Sequence, residues 1–150
     1  CRDGRCITEQ DDSVIRSNLI ASCSDDGIYL NRAARSQISH NTLIDTGGVV
    51  VRFAASSADL DGNLVDGAIR SRDNGVLRLN DNVDTAIASL YAGHHPVRDL
   101  FTGASVYRLA WANAAPRREA IRGHGAPDLC GASRPASLTY GAFEDTQACR

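Results

Sequence analysis

Four asparagines, Asn18, Asn41, Asn63 and Asn82, each follow an aliphatic residue by three positions: Ile15, Ile38, Leu60 and Leu79. Further aliphatics follow closely after them, so the segments read SVIRSNLIA, SQISHNTLI, ADLDGNLVD and VLRLNDNVD. The unit recurs about every 20 residues without a helical stripe, and self-similarity at such a period constrains a chain to a solenoid. A coil of that length makes two or three short strands, none of which buries its apolar face alone. Stacking the coils pairs each strand with its equivalent one turn along. The predicted fold is therefore all-β, a parallel β-helix whose inward column is Ile15, Ile38, Leu60 and Leu79. Asparagine tolerates left-handed dihedrals, and its amide both donates and accepts. The four asparagines are expected at a repeated bend, each rung bonded to the next as a ladder. Gly27, Gly48 and Gly67 form a second series, each leading into a strand-like run, GIYL, GVVV and GAIR, and supplying the turn before it.

Strands are predicted at 14–16, 28–30, 37–39, 49–53, 58–60, 68–70 and 76–79, the β-branched run at 49–51 favouring strand over helix. No proline interrupts 13–84, as strands that donate on both edges require. Residues 1–84 thus read as coils. From 85 to 150 the periodicity fades, and Pro96, Pro116, Pro127 and Pro135 punctuate a last coil and a loop-rich tail. Trp111, Tyr107, Phe101 and Phe143 are expected to pack that tail on the solenoid and over its last coil.

At 150 residues the chain has the size of one domain. A net charge of −2 argues against nucleic acid or an anionic membrane as main partner. No apolar run approaches a membrane span. A solenoid needs an end cap, and 1–13 is too short and polar to make one, so an N-terminal remainder of the same protein is an expected partner. Five cysteines point to an oxidising compartment, hence a secreted or periplasmic location. Cys130 and Cys149 flank the tail and are expected to bridge; the pairing of Cys1, Cys6 and Cys23 stays open.

The segments NTLID (41–45), NLVD (63–66) and DDGIYL (25–30) resemble coils of right-handed parallel β-helix proteins, in the style of secreted pectate-lyase, chondroitinase-B-like and alginate-epimerase groups. The runs DLCGASRP (128–135) and YGAFED (140–145) resemble the closing segment of bacterial proteins of that kind. The resemblance implies a right-handed β-helix that processes or binds an acidic polysaccharide, lyase-like or epimerase-like. The alternative is a non-catalytic secreted surface or binding module on the same repeats.

Chemistry on an acidic polysaccharide needs a neutraliser for the uronate carboxylate, a base for the proton beside it, and a group to protonate the leaving oxygen or the opposite face. Candidate catalytic residues are Asp26, Arg52 and His40; candidate substrate-binding residues are Arg70, for a bidentate carboxylate contact, and Tyr29, for stacking. By the glycine register, Asp26 and Asp66 hold one position two coils apart with Asp45 between them, a line of carboxylates suited to Ca²⁺. Against these stand plainer roles: aspartates before glycine form turns, the arginines pair with aspartates of neighbouring coils, and His40 lies at the surface. The 16 basic residues are all arginine, so no lysine base is present and arginine would have to serve.

Overall fold

The computed structural model describes residues 7–86, 90–91, 117–119 and 126–144. After a two-residue β1 (Gln10–Asp11), the first coil holds β2 (Val14–Arg16), β3 (Leu19–Ala21) and β4 (Ile28–Asn31), and the short β5 (Ala33–Ala34) leads out of it. The second holds β6 (Ser36–Ser39), β7 (Thr42–Ile44) and β8 (Gly48–Arg52). The third holds β9 (Ser57–Asp61), β10 (Leu64–Val65) and β11 (Ala68–Arg72); the fourth begins with β12 (Val76–Leu79) and β13 (Val83–Asp84). β14 (Arg117–Glu119) and β15 (Ser137–Thr139) follow as an antiparallel pair. No helix of the described residues is long and apolar enough to cross a membrane.

Stacking gives three parallel sheets, β2-β6-β9-β12, β3-β7-β10-β13 and β4-β8-β11, and β1 pairs β5. Ile15, Ile38, Leu60 and Leu79 stand in one register file, as the repeat requires. The other two sheets add the files Ile20–Leu43–Val65 and Ile28–Val49–Ile69. Apart from Leu79, which is 56% exposed, they form one core, in which each fully buried aliphatic side chain contributes about 1.5–3 kcal/mol relative to exposure. The predicted strands are all present. Those after the asparagines, β3, β7, β10 and β13, went unpredicted because they are only two or three residues long. Phe53 falls outside β8 because its backbone is left-handed there (φ 70°).

The ladder forms from rungs 23, 22 and 19 residues apart. Backbone N and side-chain Nδ2 of Asn18 both donate to Oδ1 of Asn41 (3.0 and 2.9 Å). Asn41 does the same to Asn63 (2.9 and 3.0 Å), and Asn63 to Asn82 (3.0 and 2.8 Å). Three of the four Nδ2 groups also reach back to the carbonyl of the aliphatic residue one coil behind: Asn41 to Ile15 (2.9 Å), Asn63 to Ile38 (2.8 Å) and Asn82 to Leu60 (3.0 Å). The two columns read in the sequence are therefore bonded to each other. The left-handed residue of the bend is not the asparagine, as expected, but the one before it: Ser17 (φ 53°), His40 (φ 52°) and Gly62 (φ 65°). That twist turns the backbone N–H of the asparagine alongside its Nδ2, so both face one acceptor.

The described residues of the tail pack sideways against the coils. The outward face of β3-β7-β10-β13 is apolar, and Ile44 and Leu64 on it cluster with Tyr91, Ala142 and Phe143. Phe143 plays its expected part; Trp111, Tyr107 and Phe101 lie outside the described residues. Gly141 N donates to Gly62 O (2.8 Å) and Ala142 N to Thr42 Oγ1 (2.8 Å). The two closing runs hold each other. Arg134 and Glu144 meet at 2.7 Å with side chains only 1% and 7% exposed, and Asp128 accepts from the N–H groups of Cys130, Ala132 and Glu144. Burial lowers the pKa of Arg134, but Glu144 beside it compensates the buried charge.

Candidate functional site

Strand alternation sets the outer face of β4-β8-β11. In Ile28–Tyr29–Leu30 the aliphatics point inward and Tyr29 stands out, 41% exposed. Two outward files cross this face: Tyr29–Val50–Arg70 and Asn31–Arg52–Arg72. Val50 lies between Tyr29 and Arg70 and is fully covered, so the aromatic ring and the guanidinium share an apolar floor.

Reach across the files ties them together. Arg52 Nη1 donates to the Tyr29 hydroxyl at 3.0 Å and its Nε pairs with Asp73; its guanidinium also covers the Phe53 ring at 4.5 Å. Asp73 is delivered by a turn after β11, in which Asp73 and Asn74 are both left-handed and Gly75 N closes onto Arg72 O (3.0 Å). Gly75 is required there because a methyl group would collide with the Val51 carbonyl. Arg70 donates to Asp26 Oδ1 (2.7 Å) and to Gly47 O (3.3 Å). Arg72 is exposed and makes no ion pair among the described residues. The face thus holds three arginines against two aspartates, on a chain whose net charge is −2.

Four of the seven residues picked from the sequence meet here: Asp26 and Arg70 as one pair, Tyr29 and Arg52 as another. The carboxylate line does not. The pairing of Gly48 with Ala68 sets Gly67 beside Gly47, so Asp66 falls one residue out of the Asp26 file. The cause is the turn from β10 to β11, which is shorter than the turn from β7 to β8. Asp66 Oδ2 instead accepts from the Asp45 backbone N–H (3.0 Å). Among the described residues no group of three His, Cys, Asp or Glu side chains is gathered to hold a metal ion. His40 is not at the surface: it is 1% exposed and forms the left-handed corner before Asn41.

The arrangement favours binding over proton transfer. The Asp26 side chain is only 5% exposed and spent on Arg70, so it is not poised to reach a sugar C–H. The pKa of Arg52 is raised by its hydrogen bonds to Tyr29 and then Asp73, which takes it further from serving as a base. Arg72, Asn31 and Asp73 were missed. The signal for Arg72 was present: in the run Arg70–Ser71–Arg72 two arginines alternate onto one face once the strand continues past 70.

Of the cysteines, Cys23 is a free, half-buried thiol and Cys130 is disulfide-bonded. Cys1, Cys6 and Cys149 lie outside the described residues.

Residues 1–88 match the model of a family described as right handed beta helix region. No curated protein and no solved structure matches the chain.

Proposed function

The chain belongs to the right-handed β-helix family, and from that premise we propose that it binds an acidic polysaccharide along the outer face of β4-β8-β11, as a secreted or periplasmic module that does not turn the polymer over with these residues. The observation that carries this reading is the grouping of Tyr29 with Arg52, Arg70 and Arg72. An exposed ring offers a stacking surface for a pyranose, and guanidinium forks beside it match uronate or sulfate oxygens. Arg72 contacts the polymer without giving up an existing partner, whereas Arg52 and Arg70 are oriented in advance by Asp73 and Asp26. Preorganisation of that kind lowers the ordering cost of binding. The disulfide-bonded state of Cys130 supports the oxidising location.

The test is calorimetric titration with alginate, pectate, chondroitin sulfate and heparin oligosaccharides, with Ca²⁺ and with chelator. An ultraviolet assay for unsaturated chain ends runs beside it. The reading expects binding to at least one acidic polymer, weakened by salt, and no unsaturated ends. Arg52→Ala should weaken it by about tenfold or more, since a charge-assisted hydrogen bond is worth about 1.5–3 kcal/mol, and Tyr29→Ala should weaken it by removing the stacking face. Absence of binding to all four overturns the reading. New unsaturated ends that vanish with chelator would replace it by a Ca²⁺-assisted lyase.

A further inference from the structure

Asn74 is the only asparagine of the chain that is followed by glycine. Glycine carries no Cβ to shield its backbone nitrogen, so this is where an asparagine side chain is most open to attack by its own main chain. The bond lies in the turn from β11 to β12. Gly75 N donates to Arg72 O at 3.0 Å, and the two residues between, Asp73 (φ 49°) and Asn74 (φ 65°), are both left-handed. That conformation costs a non-glycine residue free energy, so neighbouring groups must hold it. Arg52 Nε pairs with Asp73, Ser71 Oγ donates to Gly75 O at 2.5 Å, and Phe53 N donates to the same Arg72 carbonyl at 3.1 Å. The Asn74 side chain is exposed and makes no hydrogen bond among the described residues. The closed turn thus presents a free carboxamide while tying up the nitrogen that would attack it.

We propose that Asn74 is a deamidation site gated by this turn, with the Arg52–Asp73 pair as its latch. When the turn opens, Gly75 N loses its proton to base and attacks Asn74 Cγ. The Cγ–Nδ2 bond breaks, and ammonia leaves with a proton. Water then adds to either carbonyl of the five-membered imide, giving aspartate or isoaspartate. Nothing is oxidised or reduced; one water is taken up and one ammonia is lost. The product places a carboxylate next to Asp73, so the three arginines of this face meet three carboxylates instead of two. Isoaspartate also routes the main chain through the side chain and lengthens it by one methylene. The Val51 carbonyl leaves no room even for a Cβ on Gly75, so the lengthened turn does not close as before. Conversion is a one-way change in the charge and shape of the face. It needs no bound molecule and holds or fails independently of polymer binding.

The experiment ages the whole 150-residue chain in mildly alkaline buffer, folded and in urea. Trypsin then releases residues 73–78 by cutting after Arg72 and Arg78, and mass spectrometry reads the fraction in which the amide has become an acid. Asn74 is expected to convert at least about tenfold more slowly in the folded chain than in urea, since attack waits for local opening. Arg52→Ala and Ser71→Ala should each raise the folded rate several-fold by loosening the turn. Both side chains lie outside the core, so the coils persist, which the far-ultraviolet spectrum verifies. Equal rates in the folded chain and in urea overturn the proposal. So does a folded rate unchanged in both variants, or faster conversion at another asparagine of the folded chain.

Discussion

Asn63 shows what one side chain does in this molecule. It is fully buried, accepts two bonds from Asn41 through Oδ1, and donates through Nδ2 to Asn82 and to Ile38 O. Each buried donor or acceptor left unmet costs about 1–3 kcal/mol. Asn63→Asp keeps the shape and the acceptor but points a carboxylate oxygen at the Ile38 carbonyl and at Asn82 Oδ1. We expect it to cost at least about 3 kcal/mol, and more than Asn63→Ser, in urea unfolding read by circular dichroism. Equal stability of the two would remove the donor role. This role was legible in the sequence, since an aliphatic residue three positions before the asparagine recurs in all four coils. The left-handed residue was not: Ser17 and His40 have no common chemistry, and only the backbone path singles them out.

The closing segment decides matters at the level of elements. Its two runs clasp through Arg134 and Glu144 and lay Ala142 and Phe143 on the apolar outer face of β3-β7-β10-β13. Gly141 permits that close approach. Its φ of +84° is left-handed, and a methyl there would strike Thr42 Oγ1. Gly141→Ala should therefore undock the segment while the coils persist. The measurements are faster limited proteolysis between 126 and 144 and increased binding of a hydrophobic dye, with the far-ultraviolet spectrum little changed. Unaltered proteolysis would show that the contact is dispensable. In the sequence the apolar contribution of Phe143 was readable, but not the surface it covers. Leu19, Ile44 and Leu64 look like further core aliphatics until strand alternation sorts them outward.

Across the whole molecule, stability is approximately a sum of coil-to-coil terms, and a covalent tie at the tail adds to it. We propose that the bonded partner of Cys130 is Cys149, and a closed loop of about 20 residues is worth about 3 kcal/mol. Peptide mapping by mass spectrometry without reductant should recover the 130 and 149 peptides linked, and reduction should lower the unfolding midpoint. A link from Cys130 to Cys1 or Cys6 would redraw the tail as tied to the first coil.

The sequence by itself determined that this chain is a parallel β-solenoid with aliphatic columns and an asparagine ladder, because each coil carries its own copy of the short-range pattern that stacking needs. Only the tertiary structure decided which polar side chains meet. Tyr29 reaches Arg52 and Asp26 reaches Arg70 across coils, while Asp66 slips out of file. Those encounters depend on turn lengths that change from coil to coil. A shorter turn moves the side chains within it, as with Asp66, while the strands on either side keep their inward and outward files.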